Sequence, residues 1–460
     1  MSATTASVTT ATASVRTVVC RRRWRRLAAI VLVAVFLGGG LWLLRWSGGE
    51  SRATPDTFWY ARDAFRRAGY PARDADAIAA RLTCRNYQRS ELSYAGCLRY
   101  RTDLPRSAPV RFQRIFASRP GYALSTVPFV WVFGRIGFVI GSAALGVACG
   151  VAIVVLALAA GMRLTQALLA ETLFYLLPTG LWASRLLAEA PMMLCLLVSL
   201  IGAVLLLRGR GGPGRPSDRG GRSDRGGLIG LGRLGGRRIG APVPVILLAA
   251  GLICLCAVKP ANGVALAAAM VAMAIAALPL ARAPRPRRAY VVVAAVAAAV
   301  LAGNLLVSAA LRLPGVHETL QDAFTHHFRR PDVSDSWQRL AGRNYGLLTE
   351  KIGPQLLDHP FIAAVYVFAA VGLFRWLRPA VAGLFALAGL TGALVIAMHP
   401  IDSEIARLTV VTWIPVALGL AALVGPRSPL RLGRPRAPVR ADQATRLGAP
   451  SPHRPPARAR

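Results

Sequence analysis

Apolar residues occur along the chain as long runs separated by short polar breaks rich in arginine and proline. A run of about 18 or more apolar residues is long enough to cross the hydrocarbon core of a bilayer as a helix. Lipid offers no hydrogen-bond partner to the backbone, so such runs are expected to be helical. The pattern predicts an all-α polytopic membrane bundle with about ten transmembrane helices. The predicted spans cover residues 27–44, 136–160, 164–182, 191–207, 243–258, 263–281, 289–311, 361–374, 379–398 and 408–424.

Polar segments flank and interrupt this transmembrane domain, which we predict to extend over residues 27–424. Residues 1–26 are expected to form a disordered, basic, cytoplasmic N-terminus, and residues 425–460 a disordered, basic, cytoplasmic tail. Residues 208–241 are rich in Gly, Arg, Pro, Ser and Asp without an apolar period, which predicts a flexible cytoplasmic linker. The first span resembles an uncleaved signal anchor. A cleaved signal peptide is the alternative, although no small-residue cleavage site follows the span.

Two long polar loops, residues 45–120 and 312–360, are predicted on the outer side of the membrane. The first loop carries short amphipathic helices near residues 55–71 and 74–82. Residues 111–134 mix arginine and aromatic residues with apolar ones, which predicts an interfacial segment lying on the outer leaflet. Loops longer than about 60 residues largely escape the positive-inside rule, so the arginines of the first loop do not oppose this placement.

The charge distribution fixes the predicted orientation. The chain has 56 Lys and Arg residues against 20 Asp and Glu, a net charge of +36. Every short cytoplasmic connection in this arrangement is basic, as the positive-inside rule requires. We therefore predict a multi-pass plasma-membrane protein with both termini in the cytoplasm and no nucleic-acid partner. In this topology 16 of the 20 acidic residues and five of the six histidines lie outside, which suggests that any chemistry occurs at the outer face.

The cysteines divide by location. Cys84 and Cys97 are the only pair within a polar loop, and an outer loop is an oxidising environment, so we predict a disulfide between them. No spacing in the chain is typical of a zinc site or a redox CxxC motif. Four other cysteines lie in apolar runs, where cysteine acts as a small hydrophobe: Cys149, Cys195, Cys254 and Cys256.

Short motifs lie at the ends of several predicted spans. They are Asp56-Thr-Phe-Trp-Tyr60, Arg119-Pro120-Gly121-Tyr122, Leu187-Ala188-Glu189-Ala190-Pro191, Lys259-Pro260, and Arg407 before Ile414-Pro415. In these motifs and in its loop lengths, the chain resembles the GT-C superfamily over about residues 20–425. These membrane glycosyltransferases, many of them mannosyltransferases, take a sugar from a polyprenyl-phosphate carrier. The resemblance implies sugar transfer to a glycan, lipid or protein acceptor, with membrane lipids as partners and no cofactor.

The resemblance also assigns candidate roles. Asp56 matches the position of the catalytic base, and Tyr60, Arg119, Glu189, Lys259 and Arg407 are candidates for binding donor or acceptor. Each residue has a plain structural alternative. Asp56 after a proline is a common helix N-cap, Glu189 suits the first turn of a helix, and long cations at span ends reach lipid headgroups. Asp56 is followed by Thr57 rather than a second acid, which departs from the family's acidic pair.

Metal binding is not predicted. The histidines His326, His327 and His399 lie in outer loops, but adjacent histidines on a helix point about 100° apart and rarely chelate together.

Two other functional classes stay open. A transporter or lipid flippase usually shows symmetric halves and charged residues within spans, whereas this chain has no internal repeat and one intramembrane acid, Glu171. No feature of the sequence excludes a non-catalytic membrane scaffold.

Overall fold

The computed structural model describes residues 6–48, 52–86, 93–208, 242–281, 284–325, 327–401 and 404–424. Within these ranges the regular elements are helices and there is no strand, so the chain is an all-α membrane protein. The predicted tail, and the predicted linker from residue 209 onward, lie outside the described residues.

Helix α1 (Ala6–Gly48) begins well before the first apolar run. Residues 6–26 are therefore helical, whereas residues 1–26 were predicted to be disordered. Residues 6–37 contain neither glycine nor proline and are rich in alanine, a strong helix former. Because extending an existing helix is easier than nucleating one, the apolar span carries the helix back toward the N-terminus.

The first polar loop folds into four short helices: α2 (Thr57–Arg67), α3 (Ala72–Asn86), α4 (Tyr94–Ser107) and α5 (Val110–Ala117). A disulfide joins Cys84 of α3 to Cys97 of α4, with a Cα–Cα distance of 5.9 Å. Aromatic side chains pack α2 on α5, where the rings of Trp59 and Phe116 stack at 5.6 Å. The loop is therefore a packed helical layer.

Helices α6 (Pro120–Phe133) and α7 (Gly137–Ala160) form one apolar unit, joined by a short turn in which Gly134 has φ +59°. The prediction that residues 111–134 form one interfacial segment is wrong, because the segment is divided between α5 and α6. The charges of that segment all precede Pro120, so α5 is amphipathic, whereas α6 is apolar and packs against α2 and α7. Residues Pro120–Ala160 together meet the length and composition of a membrane span.

The middle of the chain contains α8 (Leu164–Leu176), α9 (Pro178–Ala183), α10 (Glu189–Arg208), α11 (Pro242–Val258), α12 (Pro260–Ala277) and α13 (Pro284–Ala310). The predicted span 164–182 is broken between α8 and α9. Pro178 causes this break, because proline lacks the N–H needed within a helix and forces the preceding residue into an extended conformation. Leu177 accordingly has φ −77° and ψ 173°.

The last part of the chain contains α14 (Val316–Phe324), α15 (Ser336–Gly346), a π-helical segment (Leu347–Ile352), α16 (Gly353–Asp358), α17 (Pro360–Trp376), α18 (Pro379–Met398), α19 (Ile405–Leu408) and α20 (Trp413–Leu423). Helices α17 and α20 pack with their backbones in contact. A Cβ atom on Gly419 would overlap the carbonyl oxygen of Ala369, so glycine permits this approach.

Six helices of the described chain are long and apolar enough to cross a membrane, or seven if the pair Ser336–Asp358 and Pro360–Trp376, bent by 84°, is one span. The predicted count of about ten is not reached by this measure. The other predicted spans correspond to shorter apolar helices, Leu164–Leu176, Pro242–Val258 and Val410–Leu423. Helix α7 lies at the centre of the bundle and contacts α1, α6, α8 and α10.

Candidate functional site

The centre of the candidate site is Glu189, the first residue of α10, whose side chain has no exposed surface. Its Oε1 atom lies 2.5 Å from Lys259 Nζ and 2.5 Å from Arg407 Nε. Its Oε2 atom is buried and accepts no hydrogen bond from the described residues. One carboxylate oxygen thus holds two cations that are distant in sequence, while the second oxygen is left without a protein donor.

Arg407, on the short helix α19, extends this ion-pair cluster. Its Nη1 atom lies 2.7 Å from Asp56 Oδ2 and 3.2 Å from Glu404 Oε1. Burial by itself lowers the pKa of an arginine, but the charges of Glu189, Asp56 and Glu404 raise the pKa of Arg407 well above its ordinary value. Arg407 is therefore a permanent buried cation shared by three carboxylates.

Asp56 precedes the first turn of α2, where a cap would be expected, but its side chain makes no capping hydrogen bond. The carboxylate turns instead to Arg407 and retains 23% of its surface exposed. The neighbouring residue Thr57 fixes this orientation, because its hydroxyl donates to Leu186 O at 2.8 Å. This bond ties the start of α2 to the loop that leads into Glu189, and so places a partly exposed carboxylate beside a fully buried one.

Lys259 lies at the junction of α11 and α12, where Pro260 ends one helix and begins the next. Close packing brings the start of α6 to the same junction. A Cβ atom on Gly121 would lie 2.7 Å from Val258 Cγ2 and 2.9 Å from Val258 N, closer than real Cβ contacts. The glycine of the Arg119-Pro120-Gly121-Tyr122 motif therefore lets the N-terminus of α6 approach the residue that precedes Lys259.

Arg119 occupies the N-cap position of α6 without a capping hydrogen bond, and its guanidinium makes no ion pair within the part of the chain that is described. Its charge nevertheless acts on Tyr60, Lys259 and His399, which places it at the edge of the ion-pair cluster. A buried cluster bordered by a cation without a partner is suited to receive an anion.

Tyr60 belongs to the aromatic wall behind the cluster. It is 1% exposed, and its ring lies 5.3 Å from that of Tyr122 and 5.6 Å from that of Phe116. Burial raises the pKa of Tyr60 to about 12, so the phenol is protonated at neutral pH. Its hydroxyl is buried without a hydrogen-bond partner among the described residues. The candidate for ligand binding is therefore a packed core residue whose hydroxyl is unpaired.

His399, at the C-terminus of α18, lies within electrostatic range of the cluster. Burial, together with the positive charges of Arg119 and Arg407, lowers the pKa of His399 to about 4. Its Nδ1 atom is buried and makes no hydrogen bond with any residue that the structure describes. A neutral imidazole thus lies beside the cations, although the sequence indicated no role for it beyond a possible metal ligand.

Sequence reasoning also missed Glu404 and the pair formed by Asp322 and His327, whose side chains lie 3.1 Å apart. The three-residue spacing from Glu404 to Arg407 was a usable signal, since such residues are neighbours on a helix. No local spacing identifies the environment of His327, because the nearby Phe112 belongs to the other polar loop.

Glu171 lies elsewhere in the bundle, buried within α8 against α1 and α7. A Cβ atom on Gly38 or Gly150 would lie 2.7 or 2.6 Å from Glu171 Oε1, so glycines make room for the carboxyl group. Neither of its oxygens has a hydrogen-bond partner in the described chain. The structure thus keeps the predicted intramembrane acid apart from the ion-pair cluster.

Within the described residues, no group of three or more His, Cys, Asp and Glu side chains is arranged to hold a metal ion. His326 lies outside these residues. In the cluster itself, cations separate the carboxylates Asp56 and Glu189. Comparisons of the chain with protein-family models, with curated proteins and with solved structures find no match.

Proposed function

We propose that this protein is a membrane glycosyltransferase that moves a sugar from a polyprenyl-phosphate donor to a glycan, lipid or protein acceptor. The observation that carries the proposal is the cluster of Asp56, Glu189, Lys259 and Arg407, drawn from four separate segments. All four residues lie at the ends of helices, which is where a lipid-linked substrate and a water-soluble acceptor can meet.

The cluster supplies the two functions that glycosyl transfer requires. A base takes the proton of the acceptor hydroxyl, and the partly exposed carboxylate of Asp56 is suited to this. Cations stabilise the departing lipid phosphate, a role for Arg407, Lys259 and Arg119. Glu189, which is fully buried, positions Arg407 and Lys259 rather than reacting itself.

The proposed topology has about ten crossings of the plasma membrane, with the shorter apolar helices completing the set and both termini in the cytoplasm. The arginine-rich segments support this orientation through the positive-inside rule. In this topology the ion-pair cluster lies at the outer face, and the helical layer α2–α5 covers it from outside.

A transporter or lipid flippase is the second candidate, favoured by Glu171. An acid buried within a helix of the bundle, without a hydrogen-bond partner among the described residues, is typical of ion-coupled transport. Under this alternative Glu171→Gln abolishes transport, whereas the glycosyltransferase proposal places no step of the reaction at Glu171.

The proposal is tested by sugar transfer from polyprenyl-phosphate hexoses with the purified protein in lipid nanodiscs. Asp56→Asn keeps the shape of the side chain and removes the base, so turnover should fall at least about 100-fold while the protein remains folded. Asp63→Asn is the matched control, since Asp63 is a more exposed carboxylate on α2 that pairs with Arg67. The control should stay within about twofold of wild type.

Folded Asp56→Asn protein with near-normal turnover would remove Asp56 from the mechanism. A wild-type protein that transfers no hexose from any polyprenyl-phosphate donor would contradict the proposal as a whole.

A further inference from the structure

A second group of polar residues lies in the loop that follows α14, opposite the first polar loop. His327 Nδ1 lies 3.1 Å from Asp322 Oδ1, and the His327 backbone N–H donates to Asp322 O at 3.0 Å. The imidazole also packs on the ring of Phe112, with centroids 4.7 Å apart. These contacts fix the orientation of the ring while 57% of the side chain remains exposed.

The backbone at this position is strained. His327 has φ +63° and Phe328 has φ +57°, values in the left-handed region that residues other than glycine rarely adopt. Such strain persists where the surrounding structure imposes it, and it occurs preferentially at ligand-binding sites. The position of His327 therefore depends on the contacts that hold this turn.

Several contacts hold the turn on both sides. The side chain of Gln321 donates to Val333 O at 2.7 Å and accepts from Val333 N at 2.9 Å. Thr325 Oγ1 accepts from Phe328 N at 3.0 Å. Arg111 of the first polar loop adds a clamp between the loops, at 2.8 Å from both Glu318 and Asp332, and its guanidinium lies 4.4 Å from the centroid of the Phe328 ring.

His327 lies within electrostatic range of Asp56 in the ion-pair cluster. The hydrogen bond that His327 donates to Asp322 is the main factor that raises the pKa of His327; burial and the charge of Arg329 lower it, and the charges of Asp322 and Asp56 raise it further. The charges of Asp322 and His327 in turn act on His399, together with those of Arg119 and Arg407. Packing also joins the two groups, because Phe112, which contacts His327, has its ring centroid 6.0 Å from that of Trp59 on α2, the helix that Asp56 precedes.

We propose that His327, held by Asp322, binds the phosphate group of the lipid donor through its Nε2–H, together with Arg119 and Arg407. The identity of this ligand rests on the proposed function. Nδ1 is committed to Asp322, so Nε2 is the ring atom free to donate, and a charged donor to a phosphate oxygen forms a strong hydrogen bond.

During turnover the acceptor oxygen forms a bond to the sugar C1 while the bond between C1 and the phosphate oxygen breaks, and the electron pair of the broken bond stays on the phosphate. The acceptor proton passes to Asp56. His327 donates a hydrogen bond to the developing charge on the phosphate and keeps its own proton. The contribution of His327 to phosphate binding is therefore lost as the pH rises through the pKa of His327.

The test measures binding of decaprenyl phosphate to the full-length protein in nanodiscs at pH 6 and pH 9. At pH 6, His327→Gln should weaken binding by about 10-fold or more, the loss of one charged hydrogen bond. Asp322→Asn tests positioning, because it removes the carboxylate that orients His327 and raises its pKa. This variant should lose binding at a lower pH than the wild type does. His317→Gln, an exposed histidine on α14, is the matched control and should bind as wild type does.

Wild-type affinity in folded His327→Gln at pH 6 overturns the inference, as does a ratio of affinities between wild type and His327→Gln that is the same at pH 6 and pH 9. Phosphatidic acid and inorganic phosphate are measured in parallel. Equally tight binding of either one, with the same loss in His327→Gln, overturns the assignment of the site to a polyprenyl donor.

The two proposals fail separately. Binding of decaprenyl phosphate that depends on His327, without any sugar transfer, supports this inference and contradicts the proposed function. If sugar transfer requires Asp56 but phosphate binding is unchanged in His327→Gln, the proposed function is supported and this inference is contradicted.

Discussion

Lys259 Nζ lies 2.5 Å from Glu189 Oε1, and the two side chains are 8% and 0% exposed. An ion pair removed from water to this degree is stabilising only while both partners are present, since each charge alone carries a desolvation penalty. Arg407 donates to the same carboxylate oxygen, so the three residues depend on one another.

This dependence predicts a large coupling between Glu189 and Lys259. Glu189→Gln should lower the free energy of unfolding by about 3 kcal/mol or more, because it leaves the buried charge of Lys259 uncompensated, and Lys259→Gln should cost less, because Arg407 still pairs with Glu189. The double variant should lose less than the sum of the single losses by at least about 1 kcal/mol. Unfolding of the purified variants in detergent measures the cycle, and strictly additive losses would contradict the coupling.

The disulfide between Cys84 and Cys97 predicts a specific loss of stability. Replacing both cysteines by serine should lower the free energy of unfolding by about 3 kcal/mol, because the bond joins residues with a sequence separation of 13 and closes that loop in the unfolded chain. Cys254→Ser removes an exposed free cysteine on α11 and is the control. Mass spectrometry after alkylation without reductant should find Cys84 and Cys97 unmodified; alkylation of both would refute the bond.

The arginine-rich segments predict the topology. Alkaline phosphatase fused after Ser107 or Asp335 should be active, because both positions are expected outside the cytoplasm. The same enzyme fused at Gly220, within the predicted linker, should be inactive. Phosphatase activity of the Gly220 fusion, normalised to expression, would contradict the proposed topology.

The contact between α17 and α20 predicts a steric requirement at Gly419. Gly419→Ala should destabilise the bundle by about 1–3 kcal/mol, since its methyl group would overlap Ala369 O. Gly383→Ala is the control, because a Cβ atom there meets nothing within 4 Å. The control should be neutral or slightly stabilising, as alanine favours helix over glycine. The midpoint of thermal unfolding should therefore fall in Gly419→Ala and stay the same or rise slightly in Gly383→Ala.

The helical membrane class could be predicted from the sequence, because long apolar runs are a local signal. Four candidate site residues that the structure brings together could also be identified, because they lie near the ends of predicted spans. Asp56, Glu189, Lys259 and Arg407 each follow or precede an apolar run. The break at Pro178 and the apolar character of α6 were missed, because run length alone does not separate a long helix from two short ones. The environment of His327 depends on contacts between the two polar loops, which no local pattern reports.

The ion-pair cluster also has a consequence for how the protein is made. Glu189 leaves the ribosome 70 residues before Lys259 and 218 residues before Arg407. During that interval an acid at the end of an apolar helix lacks the cations that neutralise it in the folded protein. Membrane insertion of the final helices therefore completes the cluster, and a nascent chain truncated before α19 should be recognised and degraded as incompletely assembled.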